Sequence, residues 1–350
     1  MKLNTTRHKQ AIKRLLQQIR LRYLAHIDVA RFSRTASFSV FDDDFHQVSA
    51  RIMYNVHALE KGLARTNDLR LGFGRKALAN LNDALVVFVR RGYANDSFAY
   101  VEGVSVIQRY RELHERYGHD TGYLRDLIDP TFLQRSARST AAGTKIVRRV
   151  EKEENSTKGF YDLAQGRSSV REFSGAPIDH NRVMRALQNA TKTPSVCNRQ
   201  GWSVHWIDDK DLARAVLKHQ RGFGYPQMPE VLLVITVSNG VFLSPVERNE
   251  AFVDGGLFSM SVMYGLEYEG LAAVPLNAMM YSRDQRAVRD LVEIHDSEMI
   301  IMFIAVGEFM EESTVPISDR RPALEFVKRR TAPAVDLASN HNLPSTGAVV

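Results

Sequence analysis

The stretch Phe160–Phe173 reads FYDLAQGRSSVREF and holds the most informative cluster of charged and hydroxyl side chains in the chain. Arg167 and Arg171 stand four residues apart, and Ser168 and Ser169 lie between them. Guanidinium groups donate hydrogen bonds in a planar arrangement that matches phosphate and other anions. The segment therefore has donors for a phosphate and a second anionic group at once. Taken alone, the spacing also suits a solvated cluster at a helix end.

A second segment, Pro194–Trp202, reads PSVCNRQGW and predicts a loop between a helix and a strand. Pro, Ser, Asn and Gly suit a loop whose backbone approaches a ligand, and Trp202 anchors the strand that follows. The alternative is an ordinary helix-to-strand connection. Cys197 is the chain's single cysteine, which excludes an internal disulfide and a multi-cysteine zinc or iron–sulfur site. For Cys197 we prefer a small buried residue that fills a gap over a redox role.

Helices and strands alternate around these two segments. The predicted elements are a helix capped by Asp179 and carrying Val183, Leu187 and Ala190, a half-buried strand at Trp202, Val204 and Trp206, buried strands at Val231–Val237 and Met299–Val306, and an apolar helix at Phe258–Tyr268. This order indicates an α+β fold, with a mixed central sheet flanked by helices, rather than strict βαβ repetition.

The first part of the chain has a different texture. Apolar residues recur at helical spacing in three windows, at 12–23, 52–63 and 78–88. Residues 1 to about 135 are therefore expected to be all helical. A polar stretch at 148–157 marks the expected boundary between a helical domain, 1–150, and a second domain, 151–330. The last residues, 331–350, have the composition of a disordered tail.

The formal net charge of +7 suits an anionic ligand, a phosphorylated cofactor, nucleic acid or an anionic surface. Much of the basic excess lies at 7–22, where a solvated helix face is the simplest interpretation because no aromatic residues are interleaved. The longest apolar runs are shorter than the roughly 20 residues that cross a bilayer. The first residues lack the apolar core of a secretory signal. We expect no nucleic-acid partner, no transmembrane segment and a cytoplasmic location.

In their order and separation, the two segments resemble the nitroreductase family, whose members carry an R-x-S-x-R/K element and then a P-S-x-x-N-x-Q-P-W loop. Gly265–Ala278 resembles the family's central helix and the turn beside the flavin ring. Ile304–Gly307 and Ser318–Pro322 resemble its last core strand and phosphate-binding tail. The resemblance runs from about residue 157 to 325. Outside it, the H-x-L-E-K-G-L element at His57–Leu63 is similar to longer nitroreductase-like proteins found in polysaccharide gene clusters.

The resemblance implies a nitroreductase-like FMN-binding fold, preceded by the helical region, and a homodimer with flavin at the interface. It also implies a flavin oxidoreductase in which NAD(P)H reduces FMN at N5, and the flavin then reduces a nitro, quinone or other small acceptor in a ping-pong mechanism. The flavin carries this chemistry, so neither a catalytic side chain nor a metal is expected. The alternative is a redox-inactive or specialised flavin-binding protein acting in glycan or secondary metabolism.

The resemblance also implies which residues bind FMN. They are Arg167, Ser168 and Ser169 at the phosphate and ribityl chain, Arg171 at the N1 and O2 edge, Ser195, Val196 and Asn198 at the flavin of the other subunit, Leu276, Asn277 and Ala278 near N5, and Arg320 at the phosphate. A cation at N1 and O2 stabilises the negative charge that reduction leaves there.

Three positions depart from the family pattern. Asn277 stands where many members have Glu, Ala278 replaces a frequent Gly, and Ser318 sits where some members have Lys. Loss of the Gly restricts the backbone beside N5, and loss of the Lys weakens charge pairing with the phosphate. These departures predict weaker flavin binding or altered chemistry.

The short connection from Val237 to Asp254 leaves little room for the helical excursion that covers the flavin in many relatives. We predict that the N-terminal helical domain, through His57–Leu63, supplies this cover and shapes the substrate pocket. Within that segment a surface pair of His57 with Lys61 is preferred over metal binding by His57 and Glu60. The Gly-Phe-Gly sequence at 72–74 lacks a preceding strand and a third glycine, and it does not indicate a dinucleotide site.

Overall fold

A computed structural model describes residues 2–136 and 141–330. The helices are α1 (Lys2–Thr35), α2 (Phe45–Leu63), α3 (Arg75–Arg90), α4 (Phe98–Arg116), α5 (Leu124–Leu127), α6 (Pro130–Ser136), α7 (Val150–Glu153), α8 (Phe160–Gly166), α9 (His180–Ala190), α10 (Lys210–Gln220), α11 (Glu250–Tyr268), α12 (Ser282–Val292) and α13 (Ala323–Phe326). The strands are β1 (Thr144–Arg148), β2 (Trp202–Ile207), β3 (Val231–Ser238), β4 (Ala272–Asn277), β5 (Glu298–Gly307) and β6 (Glu312–Pro316). Residues up to Ser318 form one compact unit, and those from Asp319 onward form another. The expected disordered tail, 331–350, lies outside the described residues.

The main sheet has the strand order β2-β3-β5-β4 and confirms the predicted α+β fold. Along β3 and β5, alternate side chains point to opposite faces of the sheet. Leu232, Val234 and Phe303 pack on one face with residues of α10 and α12. Leu233 and Ile304 pack on the other face with residues of α9 and α11. Helices cover both faces of β3, which explains why its residues from Val231 to Val237 are all apolar except Thr236.

The expectation of a mixed sheet is wrong in one respect, because all three strand pairings are antiparallel. A strand that is covered on both faces is apolar at every position whether its neighbours are parallel or antiparallel. The apolar runs therefore carried no information about strand direction. The predicted elements themselves are confirmed, including the Asp179 side chain that accepts a hydrogen bond from the Asn181 N–H at the start of α9.

The first part of the chain is helical, as expected, and has its own apolar core. Side chains of α2, α3 and α4 form this core, and in α2 the buried residues include Ile52, Val56 and Leu59. The α1 helix is different, because its apolar residues Leu15 and Leu16 are 57% and 60% exposed. The helical period is thus confirmed for both helices, but only the α2 stripe packs into a core of the described chain.

The segment at the expected boundary is packed. β1 pairs with β6 in a small antiparallel sheet. Lys152 and Asn155, from the polar stretch, are buried against Glu267 of α11. The domain boundary near residue 150 stays a prediction. Among the helices in 2–136 and 141–330, none combines the length and the hydropathy that a bilayer-spanning segment needs.

Candidate functional site

Three backbone contacts hold the arginine-serine segment in an extended conformation after α8. Lys152 Nζ donates to the Gly166 carbonyl oxygen at 2.7 Å. The Val170 N–H donates to the Ala273 carbonyl oxygen of β4 at 3.0 Å, and the Ser174 N–H donates to the Glu308 carbonyl oxygen at 3.0 Å. The backbone from 167 to 173 therefore lies along the sheet in a fixed position before any ligand binds.

Two side chains of this segment are poorly satisfied by the protein. Ser168 is buried, and its Oγ has no hydrogen-bond partner among the described residues. Within the described residues, Arg171 donates a single hydrogen bond, a long one of 3.4 Å to the Ser169 carbonyl oxygen. Burial lowers the pKa of Arg171, while the nearby Tyr225 and Glu60 oppose this shift. Buried polar groups normally have partners, so Ser168 Oγ and the Arg171 guanidinium are positions at which a ligand would supply hydrogen-bond partners.

The predicted N5 turn lies at the end of β4, the strand that holds Val170. Leu276 is buried opposite Phe303 of β5. The Asn277 carbonyl oxygen accepts from Gln220 Nε2 at 2.9 Å, and its side-chain Oδ1 accepts from the Met279 N–H at 3.0 Å. Asn277, which stands where many nitroreductases have Glu, therefore stabilises its own turn through its side-chain amide. β4 connects this turn to the arginine-serine segment.

The Ser195–Asn198 loop is held by other elements. The Val196 N–H donates to the two carboxylate oxygens of Asp254 in α11, at 3.1 and 3.3 Å. Cys197 and Asn198 have φ values of 49° and 56°, a left-handed conformation that costs free energy in residues other than glycine. Cys197 is exposed, so the expectation of a buried gap-filling residue is wrong. Periodicity could not reveal this, since the direction of the side chain follows from the irregular backbone.

No hydrogen bond in the described residues joins this loop to Ser168, Ser169 or Arg171. The site residues therefore fall into two groups, one supported by β4 and the other by α11. A cofactor role for the α11 group stays a prediction. Arg320 belongs to the separate segment from Asp319, where it is exposed and its N–H donates to Asp319 Oδ1 at 2.7 Å. Its contact with a phosphate also stays a prediction.

An anchor that sequence reasoning missed joins the helical region to the site. The buried Glu172 carboxylate accepts the N–H groups of Thr66 and Asn67, each at 3.2 Å, and also the Thr66 hydroxyl. Arg65 adds a hydrogen bond of 2.7 Å to the Gly224 carbonyl oxygen. Glu172 is a single acidic residue between Arg171 and Phe173, and no repeat or motif spacing in the sequence predicts that it contacts Thr66 and Asn67. The end of α2 is thereby fixed beside the arginine-serine segment.

A cluster of positive charge results at the end of α2. His57 and Lys61 both face Arg171 closely enough for their charges to interact. Partial removal from water, followed by the charges of Arg171 and Lys61, lowers the pKa of His57 to about 4, although part of the residue stays exposed. Removal from water and the charges of Arg171 and Arg65 lower the pKa of Lys61. His57–Leu63 thus lies beside the predicted flavin segment instead of forming an isolated surface pair.

The remaining acid of this segment has a structural role. Glu60 is buried, and its carboxylate accepts the Gly143 N–H at 3.0 Å. Ser318, at the position where some nitroreductases have Lys, lies 3.5 Å from the same carboxylate. The described residues contain no group of three His, Cys, Asp or Glu side chains placed to hold a metal ion.

The connection between β3 and α11 is short. It contains two 3-10 turns, Asn239–Val241 and Pro245–Glu247. The α1 helix lies against the second turn, and Asp28 of α1 forms an ion pair of 2.6 Å with Arg248. Helices from the N-terminal region therefore contact the α+β part at this connection and at Arg171.

The described residues form an α+β protein in which one extended segment carries a buried serine and a partly buried arginine. Residues 164–226 match the model of the nitroreductase family. A 4-nitrobenzoate reductase of Pseudomonas putida is 21% identical over 210 residues, which cover 45% of this chain and 89% of that protein. These matches confirm the resemblance to the nitroreductase family, and the chain carries a helical N-terminal region in addition.

Solved structures of similar proteins cover the same part of the chain. A nitroreductase family protein from Streptococcus pneumoniae is 19% identical with a TM-score of 0.42, and the match covers 49% of this chain and 100% of that chain. An FMN-dependent nitroreductase from Clostridium difficile is 14% identical with a TM-score of 0.40, covering 49% of this chain and 99% of that chain.

Proposed function

We propose that this protein is a homodimeric FMN-dependent oxidoreductase that uses NAD(P)H to reduce a small organic acceptor. The family match supports an oxidoreductase. The observation that carries the flavin assignment is the buried Ser168 Oγ without a partner among the described residues, on a backbone already fixed beside Arg171. FMN, when bound, accepts two electrons from the nicotinamide and passes them to a nitro, quinone or similar group.

In this proposal the chain's own residues bind and orient the cofactor. Arg167, Ser168 and Ser169 hold the phosphate and the ribityl chain, and Arg320 closes on the phosphate. Arg171 binds the N1 and O2 edge, where its charge stabilises the reduced ring. The polar partners that Ser168 and Arg171 lack within the described protein are those that a phosphorylated, electron-rich cofactor provides.

A second subunit completes the proposed site. Ser195, Val196 and Asn198 reach the flavin bound by the other subunit, while Leu276, Asn277 and Ala278 line the ring near N5. The left-handed backbone at Cys197 and Asn198 supports this role, because strained loops of this kind concentrate at ligand sites. The boundary near residue 150 and the cytoplasmic location are part of the same proposal.

A relative supports the choice of acceptor. The Pseudomonas putida protein is named for reduction of 4-nitrobenzoate. We propose a nitroaromatic or quinone acceptor for this chain, which enters between the flavin and the end of α2.

The direct test is to purify the full chain and identify any bound flavin by its absorbance spectrum and mass. We expect FMN at one equivalent per subunit and a particle of twice the chain mass by light scattering. Stopped-flow mixing with NADH or NADPH should then bleach the flavin within the turnover time. A protein that binds FMN but whose flavin is not bleached by NADH or NADPH would instead be the redox-inactive flavin-binding protein. Absence of flavin after reconstitution would overturn the proposal altogether.

A further inference from the structure

A cavity of about 280 Å³ lies between the end of α2 and the residues that follow α10. Its lining includes Lys61, Arg65 and Arg70 as well as the rings of Phe73 and Tyr225. This volume is at the small end of ligand pockets and suits a single ring with its substituents. The cavity is also next to the proposed flavin site, because Tyr225 and Lys61 both interact with the charge of Arg171.

The apolar walls of the cavity are fixed in place. A methyl group at Gly62 would lie 2.0 Å from the Phe73 ring, so only glycine permits the ring to lie against α2. The Arg65 guanidinium lies 4.5 Å from the centre of the Tyr225 ring and holds that ring from one side. The rings of Phe73 and Tyr225 therefore both line the cavity, and they provide surfaces on which another flat ring can pack.

The charges of the cavity are not balanced. Asp68 pairs with Arg65 at 3.1 Å and with Arg70 at 2.8 Å. Lys61 has neither a hydrogen bond nor an ion pair among the described residues, although it is partly buried. Its neighbours Arg171 and Arg65 are cations that repel it. An anionic ligand in the cavity would supply the counter-charge that Lys61 lacks among the described residues.

We propose that this cavity binds an aromatic acceptor that carries a carboxylate group, with the Lys61 ammonium binding the carboxylate and Phe73 and Tyr225 contacting the ring. The substrate class is thus an anionic aromatic compound, selected by a residue of the N-terminal helical region. As a statement about the acceptor, this inference rests on the proposed function. As a statement about binding, it can be tested without turnover.

The experiment measures binding of 4-fluorobenzoate and of its neutral analogue 4-fluorobenzamide to the full chain by ¹⁹F NMR, with the flavin content of each sample recorded from its absorbance. We expect the unaltered protein to bind the carboxylate about 10- to 100-fold more tightly than the amide, the range for one charge-assisted hydrogen bond. Lys61→Met should remove this preference and leave binding of the amide unchanged. Lys61→Gln, which keeps a polar side chain, should behave in the same way.

Lys76→Met is the matched control, because Lys76 is exposed on α3 and does not line the cavity. This variant should keep the full preference for the carboxylate. Equal binding of both probes to the unaltered protein, or a preference that survives both Lys61 variants, would overturn the inference. Displacement of 4-fluorobenzoate by inorganic phosphate at equal concentration would also overturn it, since the site would then select phosphate rather than an aromatic acid.

The two proposals fail in different ways. Selective binding of 4-fluorobenzoate to protein that never binds flavin would leave the cavity assignment intact and remove the proposed function. Flavin-loaded protein without a preference for the carboxylate would remove the cavity assignment and leave the proposed function intact.

Discussion

Lys152 and Lys61 are both shielded from water, but their surroundings differ. Lys152 Nζ lies 2.5 Å from Glu267 Oε1 and 2.7 Å from the Gly166 carbonyl oxygen, and both side chains of the ion pair are about 5% exposed. Lys61 faces a cavity and other cations. A buried charge with a partner from its own chain is part of the fold, whereas a shielded charge without one indicates a ligand. Lys152 therefore belongs to an ion pair that stabilises the site, whereas Lys61 is available to bind a ligand.

The largest effect is expected when the structural pair is broken. Glu267→Gln leaves Lys152 buried without a counter-charge, which should lower the free energy of unfolding by roughly 3 to 5 kcal/mol. Urea unfolding monitored by circular dichroism measures this change. The double variant Lys152→Met with Glu267→Leu should recover part of the loss, because it removes the uncompensated charge but leaves the Gly166 carbonyl oxygen and the Asn155 amide without these partners. A loss below about 1 kcal/mol in the single variant would remove the contrast between the two lysines.

Arg171→Ala should have the opposite effect, weakening FMN binding with little change in the stability of the protein. We expect the dissociation constant for FMN to rise roughly 10- to 100-fold, because a charge-assisted contact is lost. The unfolding free energy of the flavin-free protein should stay within about 1 kcal/mol, since neighbouring cations and burial already disfavour this guanidinium. Titration of flavin fluorescence with the flavin-free protein gives the first quantity and urea unfolding the second. Arg283→Ala, an exposed arginine on α12, is the control and should change neither quantity.

Ser168→Ala tests the same distinction with a neutral group. Since Ser168 Oγ has no partner among the described residues, its removal should not destabilise the flavin-free protein. Loss of one hydrogen bond to the cofactor should weaken FMN binding by roughly 2- to 13-fold. The same fluorescence titration measures this, with the exposed Ser203→Ala as the control. A destabilised protein with unchanged FMN affinity would show that Ser168 serves the fold.

The smallest effect concerns pH. The pKa of His57 is about 4 in the folded protein, below its ordinary value of 6.5. The unfolded chain therefore binds a proton that the folded protein does not, and stability falls as the pH decreases from 6.5 to about 4. His57→Asn should flatten the stability profile in this window, as measured by urea unfolding at pH 7 and pH 4.5. The exposed part of His57 limits the size of the change. An unchanged slope would show that His57 does not interact with the cation cluster.

Local sequence patterns predicted where the helices and strands lie, but they did not predict what packs against each of them. The apolar stripe of α2 and that of α1 look alike in the sequence, but only the first is buried. Apolar runs located β3 and β5 and did not reveal that they are antiparallel. In each case periodicity reports the shape of one segment, and the partner that packs against it comes from elsewhere in the chain.

The sequence by itself determined the α+β fold and the helical N-terminal region, because helix and strand patterns depend on short-range spacing. It also located the arginine-serine segment, which resembles the nitroreductase family through its order and separation from the other matching segments. Only the tertiary structure brought Lys61 and Tyr225 to one cavity near Arg171 and attached Glu172 to Thr66, 106 residues away. Such contacts depend on how the end of α2 and the residues after it pack beside the arginine-serine segment. That packing results from many weak apolar contacts over the whole chain, and no single motif encodes it.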